Sequence, residues 1–77
     1  MDHDQAQLAL HAGKLREAVI KPAGDANGWV IVLIGDDGEQ LPFTGRTGTR
    51  KVYHSLDQAT RVARELGFGS VRVEEDF

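Results

Sequence analysis

The spacing of apolar and polar positions changes along this chain, and each change marks an element. Residues 4–12 contain Ala, Gln and Leu with no β-branched side chain, a composition that favours helix. Asp4 is placed to cap this helix, and Gly13 fits the left-handed position just past its end. Residues 15–21 read as a strand that Pro22 stops, although their Leu-Arg-Glu-Ala opening is equally compatible with a longer helix. Residues 23–28 (AGDANG) are turn chemistry throughout, so a connection belongs there.

Residues 29–34 (WVIVLI) are aromatic, β-branched or Leu and predict a central strand. Asp37-Gly38 is a hairpin signal, and residues 40–43 alternate polar with apolar as the return strand. Residues 44–50 (TGRTGTR) form a polar, glycine-bearing loop expected to be mobile, and 51–54 are extended and positioned to continue the sheet edge. Ser55 followed by Gln58 reads as a capping box, with Leu56, Ala59, Val62, Ala63 and Leu66 on one helical face and Gly67 as the stop. Phe68 sits where a side chain folds back onto the helix, and residues 70–74 alternate Val71 and Val73 with Arg72 and Glu74 as a last strand.

The predicted fold is a single small α+β domain over residues 1–77. It is a single-layer antiparallel sheet of three to four strands with one amphipathic helix packed on it and a short N-terminal helix or tail over 1–13, in the order α-β-β-β-α-β. Within the central strand Trp29, Ile31 and Leu33 point to one face and Val30, Val32 and Ile34 to the other, so both faces call for cover. The helix after Ser55 covers one; the N-terminal helix is the expected cover for the other, ahead of a second copy of the chain in a homodimer. Trp29 is expected in the core.

Length and charge sharpen this picture. A 77-residue chain hides only about 60% of the surface its unfolded form exposes, so the core is thin. With no Cys there is neither a disulfide nor a thiolate metal site, which favours the cytoplasm. No apolar run approaches membrane-spanning length, and the opening Met1-Asp2-His3-Asp4 has no basic leader pattern, so neither a membrane span nor a secretory signal is expected. The net charge of −3 argues against a uniformly basic nucleic-acid binder. Its distribution is uneven: Arg46, Arg50, Lys51, Arg61 and Arg64 fall in a stretch with one acid, Asp57, while acids gather at Asp36, Asp37 and Glu39 and at Glu74, Glu75 and Asp76.

Reactive chemistry finds little footing. His3, His11 and His54 have no nucleophile-elbow pattern near Ser55 or Ser70, and Ser55 is explained as a helix cap. His3 and His11 with Asp2 and Asp4 lack metal-ligand spacing, and Asp36 with Asp37 reads as a turn rather than a catalytic pair. The glycines of the 44–50 loop follow neither nucleotide-loop spacing nor the helix-to-helix setting of the KH clamp. The expectation is a protein that is not an enzyme and uses no cofactor or metal. What remains is a phosphate-compatible surface of Arg46, Thr47, Thr49, Arg50 and Lys51, extended by Arg61 and Arg64; ordinary solvated charges paired with Asp57 and Glu65 account for the same residues.

Several short motifs carry a family resemblance: Leu15-Arg16-Glu17-Ala18, the glycine turn into residues 29–33, Val52-Tyr53-His54-Ser55-Leu56-Asp57-Gln58-Ala59, and Glu65-Leu66-Gly67. Across residues 15–73 the chain resembles the small ParC-type partition-associated proteins of bacterial plasmids. That resemblance implies a cytoplasmic plasmid-maintenance accessory with no catalytic residues. The run of strand, Asp-Gly turn, strand and Tyr53-His54-Ser55-Leu56 is also similar to the arm-binding domains of phage-type integrases, from which the acidic balance and weakly basic central strands depart. Together these readings predict a non-enzymatic accessory whose basic loop and helix contact DNA phosphates or an acidic partner. The alternative is a protein-interaction adaptor or inhibitor, without nucleic acid, docking through the second sheet face or the acidic end at 74–76.

Overall fold

A computed structural model describes residues 1–24, 27–45 and 47–74. Its order is α1 (His3–His11), β1 (Leu15–Pro22), β2 (Trp29–Gly35), β3 (Gln40–Pro42), α2 (Leu56–Glu65) and β4 (Val71–Val73), the α-β-β-β-α-β order read from the sequence. The sheet runs β3-β2-β1-β4. The first three strands form the expected antiparallel meander, whereas β4 joins β1 in parallel, with Ala18 opposite Val71 and Ile20 opposite Val73. The parallel edge follows from connectivity. β3 runs in the direction of β1, and α2 returns the chain across the face, so β4 starts from the same end as β1.

The helix ends show how local chemistry sets boundaries. α1 is capped by Asp2, not by Asp4: the Asp2 carboxylate accepts from the Gln5 N–H at 2.9 Å, and the Gln5 side chain accepts from the Asp2 N–H at 3.0 Å. Asp4 instead lies in the first turn, where its charge complements the helix dipole. Ser55 caps α2 as expected, accepting from the Gln58 N–H at 3.0 Å. The hairpin turn at Asp37-Gly38 forms, closed by Gly38 N–H to Gly35 C=O at 3.0 Å. Of the predicted 23–28 connection, Asp25 and Ala26 lie outside the described residues.

Both helices pack on one face of the sheet. The core joins Ala6 of α1 and Ala59, Ala63 and Leu66 of the α2 region to Ala18, Ile20, Ile31 and Leu33 of the central strands, with Phe43, Tyr53 and Phe68 closing its ends. Each of the large aliphatic side chains in that layer contributes about 1.5–3 kcal/mol by leaving water. Trp29 is half-buried and packs against this core. Small residues let the helices approach: a Cβ at Gly67 would lie 3.2 Å from Cδ2 of Leu10.

This arrangement corrects the expectation that the N-terminal helix covers the second face. Ala6 of α1 is buried in the same cluster as Ala59 and Ala63 of α2, and the Thr44 N–H bonds the Met1 carbonyl at 2.8 Å, so α1 lies on the face that α2 covers. The second face carries Val19, Val30, Val32 and Ile34 with no described helix over it. Glu17, Lys21, Gln40 and Arg72 surround that strip by register, and Arg72 pairs with Glu17 at 3.1 Å. Long polar side chains with apolar stems shield such a strip, and Val19, Val30 and Ile34 are buried.

Candidate binding groove

The segment after β3 is tied down at two points. Thr44 pairs with Arg50 across a tight turn in which Gly45 N–H reaches the Thr49 carbonyl at 2.9 Å and Gly48 N–H the Gly45 carbonyl at 3.0 Å. The loop is therefore a small hairpin with its own hydrogen bonds. Tyr53 then pairs with Trp29, extending the β3 side of the sheet. Gly28 makes that approach possible, because a Cβ there would sit 2.6 Å from the Tyr53 carbonyl oxygen.

These constraints create an open groove of about 410 Å3 between the start of α1, the 44–51 hairpin and α2. Phe43 and Tyr53, both buried, form its floor, and half-buried Val62 supplies an apolar wall. Asp2, His3, Lys51, Gln58 and Glu65 supply the polar lining. Burial raises the Tyr53 hydroxyl above its ordinary value of 10.0, so it is a neutral hydrogen-bonding group at physiological pH. The groove thus offers an apolar floor, a phenol, an amide and charges of both signs.

The predicted basic surface is divided by this geometry. Lys51 lines the groove beside two carboxylates, Asp2 and Glu65. Arg61 and Arg64 are exposed on α2. At about 100° per residue Arg64 projects away from the Gln58, Val62 and Glu65 side that faces the groove, whereas Arg61, three residues after Gln58 and four before Glu65, borders that side. Thr47 and Thr49 are exposed at the tip of the hairpin, with their hydroxyl oxygens 3.3 Å apart. Arg50 is exposed at the base of the hairpin opposite Thr44, and Arg46 lies outside the described residues. Glu74 of the acidic end is exposed beside Ile20, while Glu75 and Asp76 are outside the described residues.

The groove residues Asp2, His3, Tyr53 and Gln58 are not part of the binding surface read from the sequence, where Asp2 and His3 are weighed as metal ligands and Gln58 as a cap partner. One of them carried a readable signal: Asp2 has capping-box spacing with Gln5, which moves the helix start onto the groove. His3 and Asp4 approach within 3.7 Å on the surface, and among the described residues no group of three metal-ligating side chains converges. No described helix is long and apolar enough to cross a membrane.

The architecture is a small α+β domain with two helices on one face of a four-stranded mixed sheet. Comparison with family models, curated proteins and solved structures gave no match.

Proposed function

We propose that this chain is a non-enzymatic, cytoplasmic binding module that holds a segment of another protein in the groove between α1, the 44–51 hairpin and α2. The observation that carries this reading is the sign pattern of the groove: Lys51 shares it with Asp2 and Glu65 over an apolar floor of Phe43, Tyr53 and Val62. A phosphate backbone entering there would meet both carboxylates. A peptide offers backbone donors and acceptors to Gln58 and Tyr53, charge of either sign to the rim, and an apolar side chain to the floor.

A second reading keeps DNA as the partner, and the observation favouring it is the exposure of Arg61 and Arg64 on α2. Arg and Lys side chains and Thr hydroxyls are the donors that position a protein on a duplex backbone, and Lys51, Thr47 and Thr49 add to those of α2. A role in plasmid maintenance rests on the motif resemblance alone.

One paired experiment separates the readings. Peptides selected by display on the wild-type protein are titrated against Val62→Arg and Lys51→Glu, and labelled duplex DNA is titrated at low and moderate salt. The protein-partner reading expects peptides with an apolar anchor whose affinity drops tenfold or more in both variants, and no salt-sensitive DNA binding. DNA binding that weakens with salt and with Arg61→Ala/Arg64→Ala, together with failure to select groove-dependent peptides, overturns it in favour of DNA.

A further inference from the structure

β4 is an edge strand, and its free edge has a self-complementary pattern. The Ala18 N–H bonds the Ser70 carbonyl at 3.2 Å, and the Glu74 N–H bonds the Ile20 carbonyl at 2.8 Å. Residues 70, 72 and 74 therefore turn their backbone polar groups towards β1, and Val71 and Val73 turn theirs outward. Val73 is also one of the two large apolar side chains exposed among the described residues, at 40%. Arg72 and Glu74 flank it in sequence and share the opposite face of the sheet, both exposed.

We propose that β4 pairs with β4 of a second copy of this chain, antiparallel about a two-fold axis at Val73, to make one continuous eight-stranded sheet. Three features converge on this register. Val73 faces its own copy as a hydrogen-bonded pair, using the N–H and C=O that point outward. Its exposed side chain is covered by the same side chain from the other copy. Arg72 lies opposite the partner's Glu74, and Glu74 opposite the partner's Arg72, so the symmetry forms two cross-strand ion pairs at once. Centring the axis on Val71 instead would set Arg72 opposite the partner's Ser70 and lose both pairs.

The intramolecular Arg72–Glu17 contact at 3.1 Å is compatible with this pairing, because a guanidinium presents five N–H donors and can bond two carboxylates. The edge is short, so the dimer is weak and forms at high protein concentration. Sheet extension buries little of the groove side, which leaves two grooves per dimer.

The experiment is sedimentation equilibrium of the full chain up to about 1 mM, with circular dichroism confirming that each variant is folded. Wild type is expected to dimerise. Arg72→Glu alone and Glu74→Arg alone each set like charges opposite one another and weaken the dimer roughly tenfold or more. An equimolar mixture of the two variants restores opposite signs at both positions and dimerises at least tenfold better than either alone. Val73→Pro removes the outward N–H and the exposed valine side chain while leaving the N–H groups that bond β1 in place, and abolishes association. A wild-type chain that stays monomeric throughout, a dimer as tight in Val73→Pro as in wild type, or a mixture no better than its components overturns the proposal.

Discussion

Trp29 and Tyr53 exchange both backbone hydrogen bonds, Trp29 N–H to the Tyr53 carbonyl at 2.7 Å and Tyr53 N–H to the Trp29 carbonyl at 2.8 Å. This one pairing anchors the segment between β3 and α2 to the central strand. It fixes where Lys51 stands and where Ser55 starts the helix, so the groove depends on it. Its weak point is Gly28, where a Cβ would meet both the Tyr53 carbonyl oxygen and Cγ1 of Val52 at 2.6 Å. Gly28→Ala is expected to destabilise the domain by about 2 kcal/mol, read as a lower urea midpoint, and to weaken any groove ligand more than Gly24→Ala, whose Cβ meets nothing within 4 Å.

The helix caps separate two neighbouring acids. Asp2→Ala removes the side chain that accepts the Gln5 N–H and is expected to cost about 1 kcal/mol, whereas Asp4→Ala loses only an exposed first-turn charge and costs about 0.5 kcal/mol or less. Equal losses in a denaturant titration would contradict the assignment of the cap to Asp2.

Tyr53 links the groove to pH. Burial raises its pKa from 10.0, so the folded state holds the phenolic proton more tightly than the unfolded chain does. The neutral phenol is therefore compatible with full stability below about pH 10, and stability falls as pH rises from there through the folded-state pKa. Ultraviolet titration of tyrosinate is expected to show a midpoint above 10, coupled to loss of secondary structure; a midpoint at the ordinary value would mean Tyr53 is solvated.

The thin core makes individual side chains decisive. Leu33 of β2 is fully buried beneath the helices, and Leu33→Ala is expected to cost about 3 kcal/mol, a large share of the stability of a domain of this size. Leu8 is 72% exposed on α1, and Leu8→Ser is expected to leave the unfolding midpoint within error. Thermal melts of the two variants side by side check both statements.

Much of the architecture was legible because it is written in short-range chemistry. The strand-forming run at residues 29–34, the Asp37-Gly38 turn, the Ser55 cap and the Phe68 foldback each act within a few residues, and each appears where local rules place it. The Asp2 cap was legible by the same rule and displaced Asp4 once the Gln5 reciprocal bond was counted. The candidate surface was less so. Lys51 was singled out for its charge, and its place beside Asp2 and Glu65 brings together residues 49 and 14 positions apart in the chain.

Periodicity identified which residues of α1 and β2 are apolar, because side-chain direction follows from the backbone repeat of a single element. It could not say on which face of the sheet α1 would lie, or in which direction β4 would run. Those were decided by contacts distant in sequence: Thr44 with Met1, Leu10 with Gly67, and Ser70 with Ala18. The same contacts set both helices on one face and left β4 at the edge, because only the packed chain determines which of several compatible surfaces is used to bury an apolar stripe.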